Sequence, residues 1–281
     1  MGIPGELSDK IIDVLRDDKA TLLSCSLVSK NWTLRSQYHL FKTVTIVCPS
    51  VEEQFAFVEW LHHSDSEHLR MFLRTLKIQT EFTKNLRITR YHLNTGRIRQ
   101  EFLRFDALER MLRQLPNLDR LELRGMYWIQ RDPGGLLRSL NLPGGVDSVI
   151  KPLPPFPQVT SLVISGAQSP WMLPDLYYIF DFFPSLKNLR LEHSLELIME
   201  GREGDPGFPE HIRLDTLQID GVCSISWDSV FPSSALMNLR ELRIQPTWAI
   251  RPLVDKCLSS VKTLWLGMYS PPPQRHLGFG V

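Results

Sequence analysis

The sequence lacks the features of several protein classes. Its 281 residues hold four cysteines, at positions 25, 48, 223 and 257, without a CxxC pair, which argues against a disulfide framework or a zinc finger and favours a reducing compartment. No apolar run approaches the length of about 18 residues that a membrane-spanning helix needs, and the amino-terminal segment has no apolar stretch typical of a secretory signal. Walker, GxSxG, HExxH and GxGxxG motifs are absent, so we expect no catalytic site, cofactor or metal.

Charge is nearly balanced overall but divided into zones along the chain. With 32 Lys and Arg against 31 Asp and Glu the net charge is +1, which argues against a dedicated nucleic-acid binder unless the charge is segregated along the chain. By segment the net charge is −4 in residues 1–69, +7 in 70–124, +1 in 125–174, −7 in 175–228 and +4 in 229–281. Such zones fit an elongated molecule that presents a patterned surface to a partner; solvated faces that balance one another are an equal alternative.

A six-residue pattern recurs along the chain: apolar, two variable, apolar, one variable, apolar. Its clear copies are LRTLKI at 73–78, LDRLEL at 118–123, VTSLVI at 159–164, LKNLRL at 186–191, LDTLQI at 214–219, LRELRI at 239–244 and VKTLWL at 261–266, with a looser copy, FKTVTI, at 41–46. Because the last three residues of each copy alternate, each predicts a short strand with one buried face. Stacked copies bury these faces as neighbouring parallel strands.

Helical patterns separate several of the copies. We predict helices after Ser50, from Asp106, over 175–183 and over 252–258, from capping residues and apolar spacing. The Gly- and Pro-rich segment 131–157 predicts an irregular insertion. With spacings of the later copies close to 20–29 residues, residues 40–270 resemble an irregular leucine-rich-repeat solenoid, although the usual Asn or Cys ladder residue is absent.

The first 45 residues have helical periodicity. One apolar stripe is Leu7, Ile11, Ile12 and Leu15, a second is Leu22, Leu23, Leu27 and Val28, and Trp32 lies in a third segment. Three such helices bury little apolar area on their own, and an apolar partner surface would complete them.

This amino-terminal run resembles an F-box. The matching residues are Ile3-Pro4, Glu6-Leu7, Ile11-Ile12, Leu15, Leu22, Cys25 to Lys30, Trp32 and Leu40-Phe41. The whole chain is similar to fungal F-box proteins with leucine-rich-repeat-like carboxyl-terminal regions. The resemblance implies an α/β protein in which a three-helix F-box, residues 1–43, precedes an irregular solenoid with a parallel sheet, residues 44–270, and a tail, 271–281.

The resemblance also implies a function. It identifies a non-enzymatic substrate receptor of an SCF-type ubiquitin ligase, cytoplasmic or nuclear, which binds a Skp-type adaptor and through it cullin and RING subunits. The residues at or near the adaptor would be Pro4, Leu7, Ile11, Leu15 and Leu27, whereas Val28 and Trp32 would pack the helical core. The alternatives are a scaffold outside a ligase and a small helical cap on the solenoid whose apolar residues are ordinary core.

The resemblance further places an unknown protein substrate on the concave face of the sheet. Side chains between the buried apolar positions of each strand point to that face. Its middle column supplies the expected substrate contacts, which are Lys77, Glu122, Arg190, Arg243 and Trp265. Arginine and tryptophan dominate interface energetics, so Arg190, Arg243 and Trp265 are the expected anchors.

Overall fold

The computed structural model describes residues 4–47, 51–79, 102–103, 105–128, 155–166, 171–192, 197–198, 207–220, 227–245 and 251–267. In these residues the chain is an α/β protein whose parallel sheet remains open. Ile3 of the F-box match, the predicted cap Ser50, residues 131–154 of the predicted insertion and the tail 271–281 lie outside the described residues.

Three helices form the amino-terminal module, as the apolar stripes predict. They are α1 (Gly5–Val14), α2 (Lys19–Val28) and α3 (Lys30–Phe41). Pro4 occupies the N-cap of α1, where its missing N–H leaves no bond unmade. The Asp18 carboxylate caps α2 by accepting a hydrogen bond from the Thr21 backbone N–H at 3.1 Å. We call residues 4–41 the helical module.

The core of the helical module is small. Ile12, Leu22 and Cys25 are buried, and Leu15, Trp32 and Leu40 pack against them. The expectation that Val28 packs in this core is wrong, because its side chain is 67% exposed. Val28 is the last residue of α2, and Ser29 after it is extended, so the chain leaves the bundle before the Val28 side chain can turn inward.

One parallel sheet follows the helical module. Its main strands are β1 (Thr43–Val47), β2 (Thr75–Gln79), β4 (Arg120–Trp128), β5 (Ser161–Gly166), β7 (Asn188–Glu192), β9 (Thr216–Ile219), β10 (Glu241–Ile244) and β11 (Thr263–Leu266), and they pair in that order. The short β3 (Phe102–Leu103) pairs with β4, and β6 (Trp171–Met172) pairs with β8 (Leu197–Ile198).

The register of the sheet confirms the repeated sequence pattern. The central apolar residue of every copy pairs with the central residue of its neighbours, in the column Val44, Leu76, Leu121, Leu162, Leu189, Leu217, Leu242 and Leu264. The hydrogen bonding at the start of each strand repeats as well. The Lys42 carbonyl accepts hydrogen bonds from the N–H groups of Arg74 and Thr75, each at 2.9 Å, and the same pair of hydrogen bonds to one carbonyl recurs from strand to strand. Each copy is therefore one structural unit.

Helices cover the apolar side of the sheet. They are α4 (Val51–His62), α5 (Glu67–Arg70), α6 (Phe105–Arg113), α7 (Leu173–Asp181), α8 (Trp227–Val230), α9 (Ser233–Leu236) and α10 (Arg251–Cys257), with a 3₁₀ turn at Ser64–Ser66. The helices predicted from Asp106, Asp175 and Pro252 begin one or two residues earlier. Asp106 therefore lies inside α6. The sheet and these helices enclose one continuous apolar core, separate from that of the helical module.

Candidate functional site

The helical module exposes an unusual amount of apolar side chain. Of the fifteen large apolar side chains exposed among the described residues, seven belong to it, namely Leu7, Ile11, Val14, Leu23, Leu27, Val28 and Leu34. Within α1 the exposed Leu7, Ile11 and Val14 are four and three residues apart, which places them on one side of the helix. The helical module is therefore a candidate interaction surface.

Most of the residues expected at an adaptor are exposed. Pro4, Leu7 and Ile11 are exposed, and Leu27 is 87% exposed. Leu15 is only partly exposed, because it packs against the Ile12, Leu22 and Cys25 core. Leu15 therefore supports the position of α1 more than it enlarges the exposed surface.

A polar cluster that the sequence analysis missed ties α1 to α3. The Arg35 guanidinium donates two hydrogen bonds to the Asp13 carboxylate, at 2.6 and 2.7 Å, and His39 Nε2 lies 2.7 Å from the same carboxylate. These hydrogen bonds, from Arg35 first and His39 second, hold the pKa of Asp13 well below its ordinary range. The cluster fixes the helix that carries Leu7 and Ile11. Because Asp13 and Arg35 are 22 residues apart in the sequence, no local sequence pattern predicts their contact.

The substitution Asp13→Asn is expected to destabilise the helical module by about 1 kcal/mol near neutral pH, since it removes a bidentate ion pair that is partly exposed to water. The pKa of Asp13 is lowered by folding, so its contribution is present above the unfolded value, near 3.8, and is lost as the pH falls below it. Urea unfolding followed by circular dichroism at several pH values measures this. The difference between wild type and Asp13→Asn should shrink at acid pH; a difference independent of pH would contradict the assignment.

The helical module is joined to the first strands of the sheet. The Tyr38 ring makes an edge contact with Phe72, at a centroid distance of 6.2 Å. Lys42, directly after α3, is the residue whose carbonyl accepts from Arg74 and Thr75 of the next unit. The module thus lies at the β1 end of the sheet.

The other face of the sheet carries aligned polar columns. The pairing aligns the residues of the predicted middle column, Lys77, Glu122, Val163, Arg190, Gln218, Arg243 and Trp265. We call this side, with the flanking columns, the polar sheet face. The predicted column is therefore confirmed as a row of neighbours.

Glu122 lies at the centre of a charge network on the polar sheet face. Its carboxylate is 2% exposed and contacts Lys77 Nζ at 3.4 Å, Arg120 Nε at 2.9 Å and Arg124 Nε at 3.1 Å. Burial alone raises the pKa of Glu122, but the three cations outweigh it and the pKa is lowered. Glu122 is thus an internal counter-ion and is not accessible as a surface contact.

The network crosses β5 and continues on β7 and β9. The Arg124 side chain crosses β5 to Glu192. Its two terminal guanidinium nitrogens, Nη1 and Nη2, each lie 3.1 Å from a Glu192 carboxylate oxygen. Arg190 then contacts Glu192 and Asp220, each at 3.0 Å. Small residues on β5, Ser161, Val163 and Ser165, leave room for this crossing, and Val163 is buried beneath it. The basic zone 70–124 and the acidic zone 175–228 therefore neutralise each other within the chain at this point.

The β10–β11 end of the polar sheet face has a separate pair. Arg243 Nε lies 2.5 Å from the Glu241 carboxylate, and the Arg243 guanidinium stacks 5.7 Å from the centroid of the Trp265 ring. Trp265 is 58% exposed. Of the three expected anchors, Arg190 is held in the network. Arg243 exposes a cationic group to solvent, and Trp265 exposes an aromatic ring.

The described part of the chain contains no cluster of three or more His, Cys, Asp and Glu side chains that could hold a metal ion. None of the helices found there combines the length and apolarity needed to cross a membrane. The Cys257 thiol is buried, which raises its pKa to about 11. It therefore stays protonated near neutral pH and is a poor nucleophile.

Comparison with known proteins does not assign the chain: no family model and no curated protein matches it. The candidate functional surfaces are therefore the exposed apolar side chains of the helical module and the polar sheet face.

Proposed function

We propose that the protein is a substrate receptor of an SCF-type ubiquitin ligase. In this proposal the helical module is an F-box that docks on a Skp-type adaptor, and the sheet region is an irregular leucine-rich-repeat-like solenoid that recruits a target protein. The observation that carries the proposal is the exposed apolar surface of the helical module, on which Leu7, Ile11 and Leu27 match the F-box sequence pattern.

The two surfaces suit different partners. A module with a core as small as Ile12, Leu22 and Cys25 gains stability when a partner covers its exposed leucines. The polar sheet face is a mixed charged surface, suited to selective recognition because unmatched charges penalise wrong partners. Its internally neutralised network spans β2 to β9, so we place the main target contacts at Arg243 and Trp265.

Affinity purification of the full chain with mass spectrometry tests both surfaces together. The Leu7→Glu variant should lose the Skp-type adaptor, cullin and RING subunits, because a carboxylate would be buried against an apolar partner. The Trp265→Ala variant should keep those subunits and lose target proteins.

A matched control separates these effects from general damage. Met237 is exposed and lies next to α9, far along the chain from the helical module, so Met237→Glu should retain every partner. Retention of the adaptor by Leu7→Glu would overturn the F-box assignment. Capture of an adaptor without cullin would instead indicate a scaffold outside a ligase.

A further inference from the structure

The described core is open at the β11 end of the sheet. In β10 the central residue Leu242 is fully buried, whereas in β11 the equivalent Leu264 is 41% exposed, and Leu266 is exposed too. Each inner strand has a neighbour on both sides, but β11 has one only within the described residues. The last unit therefore presents apolar core positions that inner units bury.

A groove opens at this end between α10 and the last two strands. It has a volume of about 110 Å³ and is lined by Leu242, Val254, Leu258, Val261 and Leu264, with Cys257 also buried against it and Lys262 at its edge. An apolar cavity of ~150 Å³ admits a benzene ring, so this groove suits one aliphatic side chain. We call it the terminal groove.

The chain segment that forms the terminal groove has a net positive charge. Residues 240–267 carry five basic and two acidic side chains. Arg240 and Lys262 are both exposed and lie side by side, because the Lys262 N–H donates to the Arg240 carbonyl at 2.9 Å. An occupant with an apolar side chain and flanking carboxylates would match both the groove and its edge.

Helix α1 with the turn after it has this chemistry. Residues 5–18 carry five acidic and two basic side chains. Leu7, Ile11 and Val14 form the exposed apolar side of α1, and Glu6 and Asp9 are exposed beside them.

The two surfaces cannot meet within one chain. The helical module lies at the β1 end through its Tyr38–Phe72 contact, and the terminal groove lies at the β11 end. Seven strand spacings of about 4.8 Å put these ends about 34 Å apart. The matching helix must therefore come from another copy.

We propose that α1 of one copy docks in the terminal groove of a second copy, with Leu7 or Ile11 inserted and Glu6 or Asp9 facing Lys262. The contact is head-to-tail, joining two different surfaces, so a pair of copies keeps one free groove at one end and one free α1 at the other. Because docking covers Leu7 and Ile11, a copy whose α1 is docked cannot bind an adaptor through them, whereas the terminal copy with a free α1 still can. This competition rests on the proposed function, whereas the self-association itself does not.

Analytical ultracentrifugation of the full chain tests the self-association. A small interface predicts a Kd in the micromolar range, so wild type at about 1 µM to about 1 mM should pass from monomer to larger species, with weaker association at high salt. Leu7→Glu and Leu258→Glu should each be monomeric, while Met237→Glu should behave as wild type. Lys262→Glu, which alters only an exposed side chain, should weaken association several-fold.

Mixing the two monomeric variants gives the decisive result. Leu7→Glu retains an intact groove and Leu258→Glu retains an intact α1, so their mixture should form a heterodimer and no larger species. A mixture that stays monomeric would overturn the proposal. A monomeric wild type at every concentration would overturn it as well and would point to another occupant of the groove, such as residues 268–281 of the same chain.

Adding a purified Skp-type adaptor distinguishes this inference from the proposed function. Dissociation of the wild-type assembly on adaptor binding is the expected result. An assembly that does not dissociate at saturating adaptor would overturn the competition. Self-association that persists without any adaptor binding would leave the head-to-tail contact standing and refute the ligase function.

Discussion

Replacing Leu217 by alanine is expected to lower the free energy of unfolding by about 2–5 kcal/mol. Leu217 is fully buried at the centre of β9, with Leu189 and Leu242 as its neighbours in the central column. Truncation there removes apolar contact and leaves a cavity between units that cannot slide closer, because the strand hydrogen bonds fix their spacing. Urea unfolding followed by circular dichroism gives the change.

The same substitution at the end of the column is the control. Leu264 occupies the equivalent position in β11 but is 41% exposed, so Leu264→Ala should lose only about 1 kcal/mol. A loss at Leu264 equal to that at Leu217 would contradict the open end of the sheet. If both substitutions lowered the free energy of unfolding by the same small amount, the burial of the central column would be contradicted.

Replacing Glu122 by glutamine is expected to destabilise the sheet by about 2 kcal/mol. The substitution keeps the shape of the side chain but leaves Lys77, Arg120 and Arg124 without their shared counter-ion. Breaking a fully buried pair costs about 3–5 kcal/mol, and the partial exposure of the three cations reduces that figure through solvent screening.

The pH dependence of this effect has a definite sign. Folding lowers the pKa of Glu122, so its contribution is present above the unfolded value, near 4.5, and is lost as the pH falls below it. Glu241→Gln is the matched control, because among the described residues Glu241 pairs with one cation, Arg243, at a more exposed site. This substitution should cost less than about 1 kcal/mol. Equal effects of the two substitutions would contradict the central place of Glu122.

The sequence predicts the sheet well because its strands follow a strictly local rule. An apolar residue at every second position must face the core, and each copy of the pattern repeats that rule. The sequence therefore predicts the whole column from Val44 to Leu264. Helix positions follow from apolar spacing, but their first residues depend on tertiary packing, and α6 accordingly begins at Phe105, ahead of its predicted cap.

The candidate surfaces were predictable only in part. Exposure of Leu7 and Ile11 agrees with the positions that the F-box resemblance assigns to the adaptor surface, but Val28 lies outside the core where it was expected. The charge network escaped prediction because Arg124 and Glu192 are 68 residues apart and meet across β5. Only the fold shows that Arg190 is engaged within the chain and that Trp265 remains exposed.

Direct titration of a purified Skp-type adaptor into the full chain tests the central claim, that the helical module is an adaptor-docking F-box. Calorimetry at a protein concentration low enough to keep the chain monomeric should show saturable binding by wild type and by Met237→Glu. Leu7→Glu should bind at least about 100-fold more weakly, because a buried carboxylate costs several kcal/mol. Equal affinities for wild type and Leu7→Glu, or no binding by wild type, would contradict the claim.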